Sequence, residues 1–156
     1  MESKYRKFWD EERETMSPRE REKIILDRMR YQLEYVYNKL PFYRKHYDKH
    51  NFKPSDVKCI EDFSTKVPII EKKMLLADQQ ENPPFGSYLG VSLEEIVRIN
   101  GSAGTTTGVP TYYGISKMDW ERIAEVEAMC QWATGIRPSD VVQVTYPFTL
   151  WLGGWA

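Results

Sequence analysis

The sequence predicts an α/β fold, with a helical N-terminal region over residues 1–90 followed by the start of an α/β subdomain over residues 91–156. Three observations carry this prediction: a long amphipathic helix near the N-terminus, a glycine- and threonine-rich loop between two strand-like segments, and a capped helix followed by an apolar run. The order strand, loop, strand, helix, strand is typical of an α/β domain that has begun but is incomplete.

The first long helix begins at Ser17. Ser17-Pro18-Arg19-Glu20 is a capping box with proline at the first helical position, which is a strong helix start. Apolar residues then recur every three or four positions and form one stripe on a helix that ends before Pro41: Ile25, Met29, Leu33, Val36 and Leu40. A second, short helix is predicted from Phe42 to about His50.

Residues 51–95 contain short segments separated by prolines. Helical turns are predicted near Ile60–Phe63 and Lys72–Ala77, and Asn82-Pro83-Pro84-Phe85-Gly86 is predicted to be a turn. A further short helical turn begins at Ser92. Residues 51–90 therefore belong with the helical region, and the turn at Ser92 lies in the subdomain that begins at residue 91.

A loop of small residues separates the predicted strands Ile96–Ile99 and Thr111–Tyr113. Residues 101–108 are all glycine, alanine, serine or threonine. Glycines let the backbone approach a ligand closely, and hydroxyls beside free N–H groups form a cradle suited to phosphate oxygens. The loop is not a Walker A motif, because Val109-Pro110-Thr111 leads into a strand. The alternative is an ordinary connection between two strands.

A second long helix is predicted over residues 117–134. Ser116 and Asp119 cap its start, and Gly135 ends it. Its predicted buried face is Ile123, Val126, Cys130 and Ala133. The uncharged run Val141–Thr145 then predicts a strand buried in a sheet. Since residues 141–156 carry no charge and are rich in aromatics, we expect this surface to be covered by further chain.

Composition excludes several classes of function. The 22 basic and 23 acidic residues nearly balance, which gives no support for a nucleic-acid partner. No run approaches the roughly 20 apolar residues of a membrane span. Two cysteines without a CxxC pattern favour a reducing, cytoplasmic setting. His46 and His50 are four residues apart but have no evident third ligand, so we expect a solvated helix face and no metal site.

The segment from Val97 to Ser116 resembles the phosphate-binding loop of the adenylate-forming ligases, usually written SSGTTGKPT, and is most similar to that of the phenylacetate–CoA ligase family. Other segments resemble the family in the same order, so the likeness covers nearly the whole chain: Phe8-Trp9-Asp10, Leu40-Pro41-Phe42-Tyr43, Glu61-Asp62-Phe63, Pro84-Phe85-Gly86, Gly135 to Gln143 and Tyr146 to Leu150.

This resemblance implies an N-terminal fragment of an ATP-dependent, AMP-forming aryl–CoA ligase. Its fold would be a helical arm followed by the first part of the mixed-sheet domain of an adenylate-forming enzyme. Such enzymes use Mg²⁺ and ATP to convert a carboxylate into an acyl adenylate, and then use coenzyme A to form the thioester. The catalytic lysine is expected downstream, so the fragment alone is expected to be inactive. The family also implies a cytoplasmic enzyme that commonly forms homodimers.

The resemblance also assigns site residues. The phosphate-binding residues would be Ser102, Gly104, Thr105, Thr106, Thr107 and Gly108. The loop has one threonine more than the family pattern, and Val109 replaces its usual lysine, which removes a positive charge. Tyr146 and Phe148 would line an aromatic acid pocket, with Trp151 a weaker candidate; the alternative is that these aromatics belong to a core.

Three other interpretations remain open at this point. An adenylate-forming synthetase could act on another acid, or on a deazaflavin cofactor, without coenzyme A. A non-catalytic nucleotide-binding relative is the second, and Val109 is the feature that favours it. The third is a structural helical module with an incidental loop.

Overall fold

The computed structural model describes residues 5–102, 104 and 108–151. These residues form six α-helices and one sheet of two antiparallel strands. The elements are α1 (Glu11–Thr15), α2 (Pro18–Lys39), α3 (Pro41–Lys49), α4 (Ile60–Lys66), α5 (Lys72–Glu81), β1 (Ile96–Gly101), β2 (Tyr112–Ser116) and α6 (Lys117–Ala133). Single turns of 3₁₀ helix occupy Pro54–Asp56 and Leu93–Glu95. None of the helices in these ranges is both long and apolar enough to cross a membrane.

Helix α2 begins at the predicted capping box. The Ser17 hydroxyl accepts a hydrogen bond from the Glu20 N–H at 3.3 Å, and the Glu20 carboxylate accepts one from the Ser17 N–H at 2.9 Å. The helix ends at Lys39, and Pro41 is the first residue of α3. Both predicted helices are therefore confirmed.

The main core lies between α2, α3 and the segment that follows them. The C-terminal half of the predicted stripe is buried there, whereas Ile25 is exposed. Arg30 on α2 donates to the carbonyl oxygens of Val57 and Lys58, each at 2.9 Å, and ties the helix to that segment. The buried cluster consists of Leu33, Val36, Leu40, Tyr47, Phe52 and Val57.

Strands β1 and β2 form a hairpin whose tip is the glycine- and threonine-rich loop. Gly101 lies opposite Tyr112, at the end of the hairpin next to the loop. Helix α6 follows β2 directly, because Ser116 closes the strand and also caps the helix through Asp119. Gly135, with a φ of 99°, follows the end of α6 as predicted.

The predicted buried face of α6 is wrong. Val126 is 53% exposed, Cys130 is exposed as well, and the buried residue of the helix is Trp132. The ring centroids of Tyr5 and Trp9 lie 6.0 and 5.6 Å from that of Trp132. Helix α6 therefore contacts the N-terminal segment through Trp132, and of the predicted face only Ile123 is half-buried, whereas Val126, Cys130 and Ala133 are exposed.

The predicted strand over Val141–Thr145 is also wrong. These residues have no regular secondary structure, and residues 141–150 are all exposed. A strand exists only where a neighbour supplies the other half of its hydrogen bonds, and in the described ranges the sheet contains β1 and β2 alone. The chain returns to the hairpin at Leu150, whose carbonyl accepts a hydrogen bond from the Gly101 N–H at 2.8 Å.

Candidate phosphate-binding site

Two hydrogen bonds between Ser102 and Thr111 close the base of the loop. The Ser102 N–H donates to the Thr111 carbonyl at 2.9 Å, and the Thr111 N–H donates to the Ser102 hydroxyl oxygen at 2.8 Å. Because the hydroxyl oxygen is the acceptor in the second bond, that bond does not use the hydroxyl proton. The two hydrogen bonds therefore hold the Ser102 side chain at the base of the loop and leave its hydroxyl proton available for another acceptor.

Gly104 and Gly108 both adopt the left-handed conformation inside the loop. Their φ angles are 68° and 72°, and the Gly108 N–H donates to the Gly104 carbonyl at 2.7 Å. Only glycine adopts this conformation without a steric penalty, and it turns backbone N–H groups towards a common point. Left-handed glycines occur in backbone loops that bind anions, and here the Gly108 N–H is bonded within the loop, so these two glycines set its shape. The predicted ligands Thr105, Thr106 and Thr107 lie outside the described residues.

The exit of the loop is held by Gln79 on helix α5. Its side-chain oxygen accepts hydrogen bonds from the Tyr112 N–H at 2.8 Å and from the Tyr88 hydroxyl at 3.0 Å. Its side-chain amide lies 3.5 Å from the Pro110 carbonyl oxygen. The sequence analysis missed Gln79, although its position three residues after buried Leu76 places it on the inward side of α5.

Two buried side-chain groups beside the loop lack partners in the described part of the chain. They are the Thr111 hydroxyl and the side-chain amide nitrogen of Asn100. The other end of that amide, its oxygen, accepts a hydrogen bond from the Arg98 side chain at 3.1 Å. A buried polar group without a hydrogen bond lowers the stability of the fold by about 1–3 kcal/mol. A further hydrogen-bond partner at Thr111 or Asn100 would therefore stabilise the hairpin.

Relatives in the comparisons are CoA ligases, although no family model matches the chain. The chain is 34% identical over 148 residues to a phenylacetate–coenzyme A ligase from Thermus thermophilus, and 36% identical over 129 residues to one from Pseudomonas putida. These alignments cover 94% and 83% of this chain, but only 32% and 28% of the relatives. The chain thus spans about a third of the length of the curated relatives that it matches.

Solved structures give the same answer. The chain superposes with a TM-score of 0.90 and 40% identity on 2-hydroxyisobutyryl-CoA ligase in complex with 2-HIB-AMP and CoA, over 99% of this chain and 32% of that one. The chain belongs to the phenylacetate–CoA ligase family. Its predicted α/β fold class is confirmed by the same match.

The family's expected acid-pocket residues do not form an enclosed pocket in the described residues. Tyr146 is 52% exposed and Phe148 is 59% exposed. The adjoining Leu150 does reach the hairpin, where it borders a cleft of about 820 Å³ that is also lined by residues 96–99 of β1. Tyr146 and Phe148 thus remain predicted pocket residues.

His46 on α3 and His50, the C-cap of that helix, both contact backbone carbonyls. Nε2 of His46 lies 3.0 Å from the Ile69 carbonyl oxygen, and Nδ1 of His50 lies 2.9 Å from that of His46. Within residues 5–102, 104 and 108–151 there is no group of three His, Cys, Asp or Glu side chains that could hold a metal ion.

Proposed function

We propose that this chain is the phosphate-binding part of an ATP-dependent, AMP-forming acid–CoA ligase. In this proposal the chain lies in a longer polypeptide, here called the full-length protein, that also contains the remainder of the family's length. The helical region ends near residue 90, and the phosphate-binding subdomain begins at residue 91. The observation that carries the proposal is the loop anchored between Ser102 and Thr111, in which Gly104 and Gly108 both hold left-handed backbone.

The reaction has two balanced steps. A carboxylate oxygen attacks the α-phosphorus of ATP, and the bond from that phosphorus to the bridging oxygen breaks, which releases pyrophosphate. The thiol of coenzyme A then attacks the acyl carbonyl, the thiol proton passes to a base, and AMP leaves. Both steps gain rate from groups that stabilise the charge on the departing phosphate.

The loop's own part is to hold the β- and γ-phosphates. In this proposal the hydroxyl of Ser102, the backbone N–H of Gly104 and the hydroxyls of residues 105–107 donate hydrogen bonds to phosphate oxygens. These donors gain strength as negative charge accumulates on the leaving pyrophosphate. The N–H of Gly108, which is bonded to the Gly104 carbonyl, holds the loop in shape. Mg²⁺, when bound, neutralises phosphate charge. We assign its ligands and the catalytic lysine to the remainder of the full-length protein.

We propose an aromatic carboxylic acid as the substrate. Tyr146 and Phe148 lie in an uncharged segment, and aromatic side chains favour edge-to-face contact with an aromatic ring. A small hydroxy acid is the second candidate, because the solved 2-hydroxyisobutyryl-CoA ligase is 38–40% identical to this chain. We also propose a cytoplasmic setting, which agrees with the free cysteines Cys59 and Cys130. We further propose that the full-length protein forms a homodimer, which light scattering would test.

The test is acid-dependent ATP–pyrophosphate exchange by the full-length protein. Phenylacetate, benzoate and 2-hydroxyisobutyrate form the panel, and thioester formation is followed after coenzyme A is added. We expect exchange and thioester with an aryl acid. Exchange with 2-hydroxyisobutyrate alone would favour the second candidate, and exchange without thioester would favour a CoA-independent synthetase. No exchange with any acid would refute the proposal.

Two alanine variants separate the sites within this assay. Ser102→Ala removes a proposed phosphate donor and should raise the KM for ATP while leaving the KM for the acid near its wild-type value. Phe148→Ala removes a proposed pocket side chain and should do the reverse. A change of the same size in both constants for either variant would contradict the assignment of that residue.

A further inference from the structure

We propose that Gln79 is the positioning residue of the phosphate loop, and that it acts by holding the backbone of Pro110 and Tyr112. This inference rests on the proposed function of the loop. It concerns a residue that lies on a helix of the N-terminal region, more than twenty positions before the loop begins.

The Gln79 amide takes the place of a neighbouring strand at the outer edge of β2. The Tyr112 N–H faces away from β1 and donates to the Gln79 side-chain oxygen at 2.8 Å. The Pro110 carbonyl, two residues earlier, faces the Gln79 side-chain nitrogen at 3.5 Å. A strand partner supplies one acceptor and one donor at this spacing, and the side-chain amide supplies both.

The backbone that Gln79 holds is the wall of the loop. A Cβ atom built on Gly104 would lie 3.3 Å from both the Pro110 nitrogen and the Val109 carbonyl carbon, so Gly104 packs directly on this backbone. Thr111 lies between the two residues that Gln79 contacts, and its N–H donates to the Ser102 hydroxyl. A shift of the backbone of residues 109–112, here called the exit arm, would therefore move Thr111, which bonds Ser102, together with the backbone that packs on Gly104.

The site is built for an amide. Gln79 is buried, and its oxygen also accepts the hydroxyl of Tyr88 at 3.0 Å. A tyrosine phenol is protonated at neutral pH, and burial raises the pKa of Tyr88 further, to about 12, so its hydroxyl is a donor here. Replacement of Gln79 by an apolar side chain would leave the Tyr112 N–H and the Tyr88 hydroxyl without this acceptor. The exit arm would then move so that these donors find other partners.

The experiment compares three variants of the full-length protein: Gln79→Leu, Gln79→Glu, and Gln80→Leu as a matched control at the exposed neighbouring position. Two half-reactions are measured separately. ATP–pyrophosphate exchange requires the β- and γ-phosphates, whereas thioester formation from supplied acyl adenylate and coenzyme A does not. Melting temperature is recorded for every variant, so that a folding defect is recognised.

For Gln79→Leu we expect the KM for ATP to rise about tenfold, from the loss of one or two buried hydrogen bonds. Thioester formation from acyl adenylate should stay within about twofold, since the loop contacts no group in that step. Gln79→Glu keeps the acceptor for Tyr112 but loses the donor towards Pro110, so its KM should lie between those of wild type and Gln79→Leu. Gln80→Leu should behave as wild type.

Two kinetic results would overturn the inference: an unchanged KM for ATP in Gln79→Leu, or an equal loss in both half-reactions, which marks a merely structural role. Hydrogen–deuterium exchange gives a readout that does not depend on activity. The Tyr112 amide should exchange faster in Gln79→Leu than in Gln80→Leu. Equal hydrogen–deuterium exchange at Tyr112 in the two variants would overturn the inference. This readout also holds if the wild-type protein shows no ATP–pyrophosphate exchange with any acid and the proposed function fails.

Discussion

Gly104 and Gly108 offer a matched pair for testing how the loop is built. Both adopt a left-handed φ, at 68° and 72°. A Cβ atom added to Gly104 would approach the Val109 and Pro110 backbone to 3.3 Å, whereas one added to Gly108 would meet nothing within 4 Å. Gly104→Ala and Gly108→Ala therefore share one penalty and differ in a second.

The shared penalty is the cost of a left-handed alanine, about 1–2 kcal/mol. Overpacking against a rigid backbone adds about 1–3 kcal/mol at Gly104 only. Since 1.4 kcal/mol corresponds to about a tenfold change in an equilibrium constant, Gly108→Ala should weaken ATP binding about 5- to 30-fold. Gly104→Ala should weaken it by at least about fivefold more than that.

The assay is ATP–pyrophosphate exchange by the full-length protein over a range of ATP concentrations at saturating acid. The KM for the acid serves as the internal control and should not change. Gly108→Asn adds a further comparison, because asparagine tolerates the left-handed region better than alanine and should lose less. Equal losses in the two alanine variants, or a larger loss at Gly108, would refute this account of the loop.

Three further predictions concern charge, core and pH. Val109→Lys restores the family's positive charge and should lower the KM for ATP about two- to fivefold, less at high salt, and an unchanged KM at low salt would contradict it. Leu33 is 4% exposed, so Leu33→Ala should lower the free energy of unfolding by about 2–5 kcal/mol in urea titrations. Tyr31 is 71% exposed, so the control Tyr31→Ala should change it by less than about 0.5 kcal/mol. Equal losses in the two variants would contradict the core as described. Hydrogen bonds from the Lys66 side chain and the Lys58 N–H lower the pKa of Asp62 below 3.8, so its stabilising effect is present above about pH 4 and is lost as the pH falls below that value. The stability difference between wild type and Asp62→Asn should therefore shrink on acidification, and a difference that stays constant to about pH 2 would show that Asp62 does not contribute in this way.

The helix ends could be predicted from the sequence because their signals are local. Ser17 and Ser116 each bond to an acidic residue three positions later, and Gly135 directly follows Thr134, the C-cap of α6. Each signal is complete within about four residues, so no knowledge of the tertiary fold is needed to interpret it. The two strands beside the loop were predictable for a similar reason, since each is a short strand-like run; their antiparallel pairing was not predicted.

Gln79 could not be predicted in this way. Its partners Pro110 and Tyr112 lie 31 and 33 positions along the chain, and a glutamine in a helix has no local signature for a role in another element. The predicted helical turn ended near Ala77, whereas α5 continues to Glu81 and so includes Gln79. The group that Gln79 meets depends on how α5 packs beside the hairpin. Such contacts are fixed by tertiary structure alone.

The two wrong predictions after the loop differ in a way that follows from where hydrogen bonds are made. In both, an apolar pattern predicted burial: Val126 on α6, and the valines of Val141–Thr145, are exposed instead. Yet α6 is still a helix, while residues 141–145 form no strand. A helix makes its backbone hydrogen bonds within itself, and the Ser116 cap supplies its start, so loss of a covering surface leaves the helix in place. A strand has no internal hydrogen bonds, so without a partner the same apolar pattern specifies no structure. Hydrophobic periodicity thus predicts which residues favour burial. For a helix it also predicts secondary structure that forms even when those residues stay exposed, whereas for a strand it does not.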